Sequence, residues 1–327
     1  MRLPDTAHIA RPWRIHELTR DFRLEDVWPT PGGSGRDDFS RLMQLIASLD
    51  PSRSSSVAVR TLFAIRSKLG LDRPIVQQFV IWVGSVLRGD LGESFFFKKQ
   101  VSELIAERVE PTLALATCTL LLAVTLAVPL GVLAAWRRGT WIDRGVMGLS
   151  VLGFSVPVFV IGYVLIYLVA IQLGWLPVQG YQRLADGFAG FIQRLILPSI
   201  ALAIIYVALI ARITRTSVLE VLNADHVRTA RAKGLGDLTV LFRHVLRNAA
   251  VPIVTVIGLG VALLIGGVVV TESVFSIPGL GRLTVDAVLA RDYPTVQAVI
   301  LLFSVVYVLI NLVVDLSYTF LDPRIRY

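Results

Sequence analysis

The chain has 327 residues, of which 54% are apolar and 17% charged, and its formal net charge is +8. That balance excludes most soluble folds, because the charges cluster between long charge-free runs, and a helical bilayer crossing takes about 20 apolar residues. The surplus of Lys and Arg sits in the loops between those runs, a topological asymmetry that argues against nucleic acid as a partner.

Residues 1–65 form an atypical polar N-terminal segment. From Met1 to Lys68 charges recur throughout, and the longest uncharged apolar run is Leu42–Leu49, too short to span. No basic-then-apolar-then-small pattern of a cleaved signal peptide is present. Trp28-Pro-Thr-Pro-Gly-Gly-Ser-Gly35 reads as a flexible break. Residues 66–110 read as an external amphipathic segment leading into the first span. Within it Pro74–Leu87 is uncharged but short, so it is expected to pack on protein or at the membrane interface. Arg88–Glu93 is turn-rich, and Lys98–Arg108 predicts a short amphipathic helix.

Charge-free runs then follow at Pro111–Trp136, Gly145–Gln182, Leu195–Ala211, Asn248–Thr271 and Tyr293–Val314. They predict an all-α polytopic membrane protein with five evident transmembrane helices, at about 111–136, 146–175, 195–212, 249–272 and 293–315. The second run exceeds one simple helix. Pro157 is expected to kink it, and Gly174-Trp-Leu-Pro177 to end it near an interface suited to Trp175.

Sidedness follows from loop charge. Arg137, Arg138 and Arg144 outnumber Asp143, and the stretch 213–248 is strongly basic, so both are expected on the cytoplasmic side with the C-terminus. The loops around Tyr181–Arg194 and Glu272–Asp292 are then external. Cys118 lies inside the first span and reads as a packed small side chain. Glu272 and Asp315 fall near the ends of spans, where hydrated or helix-capping roles compete with functional ones. Gly258, Gly260, Gly266 and Gly267 read first as helix-packing positions.

The stretch 213–248 carries Arg215, Arg228, Arg231, Lys233, Arg243 and Arg247 against Glu220, Asp225 and Asp237. Asn223–Lys233 has helical composition, with Ala224, Val227, Ala230 and Ala232 available to pack, and Gly234 stands where a left-handed turn would end it. A short helix across such a loop can insert into a cleft on a partner and convert its movement into movement of the spans. The alternative is a solvated basic loop that only sets topology. The chain carries no Gly-x-x-x-x-Gly-Lys-Ser/Thr loop for phosphates and no constellation for covalent chemistry, so it reads as a non-enzyme without a cofactor.

Five stretches together resemble the permease subunits of bacterial dipeptide/oligopeptide ABC importers. They are Lys68-Leu-Gly-Leu-Asp-Arg-Pro74 with Gly89-Asp-Leu-Gly-Glu-Ser94, Thr112-Leu-Ala-Leu-Ala116, and Arg228-Thr-Ala-Arg-Ala-Lys-Gly-Leu235 with His244-Val-Leu-Arg-Asn-Ala249 and Pro252. Thr271-Glu-Ser-Val-Phe-Ser-Ile-Pro-Gly-Leu-Gly281 with Arg291-Asp-Tyr-Pro294 and Asp322-Pro-Arg-Ile-Arg326 complete the set.

The resemblance implies a six-helix subunit of the bacterial inner membrane that pairs with a homologous second permease to form a pathway for di- or oligopeptides. Two ATPase subunits would dock on its cytoplasmic side, and a periplasmic or lipid-anchored binding protein would deliver the solute. It also implies an ATPase-coupling role for Asp225, Arg228, Thr229, Ala230, Arg231, Lys233 and Gly234, and a permease domain over 111–320 with its coupling loop at 213–248.

The family's first helix has no counterpart run before Lys68, and Asp50-Pro51 alone echoes the external turn that follows it. An unusual five-span protein and a divergent or mis-assigned start both fit. Two other readings stand beside the importer. An ion-coupled secondary transporter would carry buried coupling acids at mid-membrane, and a transport-incompetent paralogue would lack the first helix.

Overall fold

A computed structural model of the chain describes residues 74–321, with side chains described through residue 317. The N-terminal segment 1–65, the missing first helix and the C-terminal Asp322–Arg326 motif lie outside the described residues.

The described residues hold nine α-helices longer than a single turn. Helix α1 (Ile75–Leu87) is apolar and at 13 residues too short to cross a bilayer. Helix α2 spans Val101–Trp136, α3 Trp141–Ser155 and α4 Val158–Leu165, the last continuing as a π-helix over Ile166–Gln172. Helix α5 covers Phe188–Leu222 and α6 Asp225–Ala232. Helix α7 (Leu246–Val274) has a helical lead-in from Asp237 to Val245, and α8 (Leu280–Leu289) and α9 (Tyr293–Leu321) follow.

Four of these, α2, α5, α7 with its lead-in and α9, are long and apolar enough to cross a membrane. Helix α5 is the centre of the bundle. It packs along α2, α3, α4 and α7, and Leu195, Leu202, Tyr206 and Ile210 sit in a core shared with Leu115, Ala123 and Ala127 of α2 and Val256, Leu264 and Val268 of α7. Outward faces stay apolar, as Leu121, Leu149, Leu263, Leu309 and Leu312 are all about half exposed or more. Side chains of that kind on the outside of a long apolar bundle match hydrocarbon rather than water.

The fifth crossing is broken. Helices α3 and α4 meet at Val156–Pro157 with a bend of 102°. The pair nevertheless runs from one end of the bundle to the other. It starts where Asp143 meets Arg215 of α5, Gly162 of α4 faces Val274 and Phe275 at the far end of α7, and the loop past Gln172 stays there, the Gly180 amide donating to the Phe275 carbonyl at 3.0 Å. A re-entrant loop would return to its own side, so this is a broken span. The expected kink at Pro157 is present, but far sharper than a proline in a continuous helix produces. The reason is that the helix stops there: Val156 is extended and Pro157 caps the next segment.

The short helix expected over Lys98–Arg108 is merged with the first span, since α2 is continuous through Pro111. Tertiary packing outweighs the lost backbone bond. Val101, Leu104 and Ile105 are buried against Leu280 and Leu283 of α8 and Ala298 and Val299 of α9.

Candidate functional site: the loop helix and its seat

At the end of the bundle where α2 and α5 finish and α7 begins lies a second, smaller core. Ala135, Val218, Val240, Leu241, Val245, Ala249 and Ile253 form it, together with Val227 and Ala230 of α6. The loop helix is therefore seated in its own subunit. Helix α5 ends at Leu222, and Ala224, extended at ψ 147°, precedes α6. Asp225 falls in the first turn and Arg231 in the last, each at the end whose partial charge favours it. The Thr229 hydroxyl donates to the Asp225 carbonyl at 2.9 Å.

Gly234 ends the helix at φ +80°, and its amide donates to the Arg231 carbonyl at 2.9 Å. A Cβ there would meet nothing within 4 Å, so conformation rather than space selects glycine. Arg231 then pairs with Asp237 at 3.7 Å, tying α6 to the lead-in of α7.

The seat divides the site residues into two sets. Val227 and Ala230 face inward and are at most 5% exposed. Asp225, Arg228, Thr229, Arg231, Lys233 and Gly234 face outward. Ala230, counted in the sequence among the coupling residues, thus belongs to the seat. The Asp225–Arg228 pair, 3.7 Å apart with both side chains mostly exposed, contributes little to stability. It leaves a polar, net cationic surface free. Beside it, a cleft of about 340 Å³ opens between α5 and α7, lined by Ser217, Glu220, Val221, Ala224, Asn248 and Pro252. One wall holds Asn248 of the His244–Ala249 motif and Pro252, but the sequence did not join it to the other wall at the end of α5.

The opposite end of the bundle carries two buried carboxylates. Glu272, expected near an interface with a hydrated or capping role, is fully buried. It accepts the Thr112 hydroxyl at 2.6 Å and the Arg282 amide at 2.9 Å, while Thr112 accepts the Leu280 amide at 2.8 Å. Glu272 and Thr112 together cap α8, satisfying two of the amides its first turn leaves open. Asp292 accepts the hydroxyls of Ser94 (2.5 Å) and Thr295 (2.7 Å) and the Phe95 amide (3.1 Å). Both carboxylates sit at helix ends with their hydrogen bonds made. Neither is the free mid-membrane acid that ion coupling would need.

A polytopic all-α bundle with a short polar helix seated across one end is the architecture of an integral membrane subunit. Residues 127–327 match the family described as binding-protein-dependent transport system inner membrane component, and the chain belongs to it. It is 56% identical over 263 residues to a probable peptide ABC transporter permease of Sinorhizobium fredii, covering 80% of this chain and 84% of that protein. It is 45% identical to a glutathione transport system permease of Escherichia coli, over 80% of this chain and 83% of that one. Among solved structures, the inward-facing MetNI methionine ABC transporter shares the fold, with a TM-score of 0.55 at 19% identity over 67% of this chain and 96% of that one. The chain is a multi-pass inner-membrane permease of the ABC-importer type.

Proposed function

We propose that this permease carries short peptides inward, in the company of a second homologous permease, and that ATPase subunits drive it by docking on the outward face of α6. In this reading 111–320 is the permease domain, 213–248 its cytoplasmic coupling loop, and 66–110 an external segment. A solute-binding protein delivers the peptide on the external side. The peptide class rests on the relatives, one described as a peptide permease and one as a glutathione permease. Glutathione is itself a tripeptide, so the two descriptions share a backbone chemistry.

The observation that carries the coupling role is the two-sidedness of α6. Its inner face is locked into a core that joins the ends of α2, α5 and α7, and its outer face is polar and exposed. A push on the outer face therefore moves three spans together. A surface-only loop would have no such seat. Basic residues around it, Arg228, Arg231, Lys233, Arg243 and Arg247, support the cytoplasmic side and an acidic rim on the docking partner.

The test is reconstitution of the complete transporter in liposomes, with uptake of a labelled di- or tripeptide followed against internal ATP or an imposed proton gradient. ATP-dependent uptake that needs the binding protein is the expected result. Uptake driven by the proton gradient without ATP contradicts it.

A further inference from the structure

The loop helix is seated on the ends of α2, α5 and α7, but the broken span α3–α4 contributes nothing to that seat. Near the seat, α3 is tied to α5 by an ion pair, and further along Arg212 of α5 lies over the Phe154 ring of α3 at 5.4 Å. Asp143, in the first turn of α3, is 5% exposed. One carboxylate oxygen accepts the Arg215 Nε of α5, and the other accepts Arg215 Nη2 at 2.8 Å and the Gly139 amide at 2.9 Å. The pair is bidentate, and the Arg215 side chain is 22% exposed. A fork of this kind fixes the angle between two helices as well as their distance.

Its place in α5 matters as much as its geometry. Arg215 stands two helical turns before Leu222, where α5 ends and α6 begins. Between them Val218, fully buried, joins the core under Val227 and Ala230. Arg215 is thus rigidly joined to the seat of α6. On the other side, α3 lies so close to α5 that a Cβ on Gly153 would sit 3.0 Å from the Ala208 Cβ. Past Ser155 comes the break at Val156–Pro157, and α4 then packs with Gly162 against Val274 and Phe275 at the far end of α7.

We infer that Asp143 and Arg215 are positioning residues for transport, forming a strut that carries displacement of the loop helix into α3 and so to the break at Val156–Pro157. The inference rests on the coupling role proposed above for α6. Without the strut, the ATPases still dock and move α2, α5 and α7, while the start of α3 is no longer held at a fixed angle and the broken span follows only through its apolar packing on α5. ATP is then hydrolysed with little transport.

The experiment compares wild type with Asp143→Asn in the reconstituted transporter, measuring ATPase co-purification, binding-protein-stimulated ATP hydrolysis and peptide uptake. Asp143→Asn is expected to keep the ATPases bound and hydrolysis within about twofold, while peptide carried per ATP falls at least tenfold. Asp143→Glu, which keeps the carboxylate, restores at least a third of the ratio. Should Asp143→Asn not assemble, Arg215→Lys gives the same reading, since it keeps the charge and loses the fork. An unchanged ratio of uptake to hydrolysis in an assembled variant overturns the strut, whether both rates stay or both fall. Failure of the wild-type chain to retain the ATPases, by contrast, overturns the coupling role of α6 and is seen before any variant is made.

Discussion

Thr112 in α2 and Glu272 in α7, 160 residues apart, meet through a 2.6 Å hydrogen bond in which the threonine hydroxyl donates to the carboxylate. That contact locks α8 over the end of the bundle opposite the loop helix. Replacing Glu272 with Ala leaves the Arg282 amide and the Thr112 hydroxyl without their acceptor at a part-buried site. The expected cost is about 1–3 kcal/mol, read as a lower unfolding temperature of the detergent-solubilised protein.

Gly279 supplies an independent check on the same site. A Cβ there would lie 2.0 Å from Glu272 Oε1, so Gly279→Ala forces the carboxylate aside. Alone it should destabilise by about 1–3 kcal/mol. In the Glu272→Ala background the clash is gone and its cost should fall to less than half. Additive losses in that double-mutant cycle would show that the two residues do not interact.

At the neighbouring clamp, Asp292 holds Ser94 and the Phe95 amide. Ser94→Ala removes one charge-assisted bond and should cost about 1–3 kcal/mol. Hydrogen exchange of the 89–97 backbone should rise, with the spans unaffected. Uniform exchange changes across α2, α5 and α7 would contradict a local clamp.

For the loop helix, Gly234→Val places a β-branched residue at φ +80° and should cost about 1–2 kcal/mol or more. Gly234→Asn should be tolerated better, because Asn enters the left-handed region and a Cβ there meets open space. Equal losses for the two would point to a steric role instead. Thermal unfolding with co-purified ATPase as a second readout distinguishes them.

Much of this was legible in the chain because the bilayer imposes it. Four of the five charge-free runs lie within single long helices, and the fifth, Gly145–Gln182, takes in the broken pair and runs past it, since unpaired charge is excluded from hydrocarbon whatever the tertiary packing. Helix ends were less legible. Lys98–Arg108 reads as a separate piece, yet burial of Val101 and Leu104 against α8 and α9 draws most of it into one helix with the first span. Pro157 announced a kink. The 102° turn depends on Gly153 and Gly162 letting α3 and α4 approach different helices, a fact of tertiary packing. In α6, Val227 and Ala230 could have faced a partner or their own subunit. Eight residues of mixed Ala and Arg do not decide that, and the core formed with Val218 and Val240 does. The Thr112–Glu272 and Asp143–Arg215 contacts join residues 160 and 72 positions apart, beyond any local pattern.

The central claim is that the exposed face of α6 meets an ATPase while its inner face stays in its own seat. The direct measurement is disulfide or bifunctional cross-linking from single cysteines, in a Cys118→Ser background, to the co-expressed ATPase subunits. Arg228→Cys, Thr229→Cys and Lys233→Cys should cross-link, and Val227→Cys, fully buried, should not. Cross-links from Val227→Cys as strong as those from Arg228→Cys, or none from any exposed position in an active transporter, would contradict it.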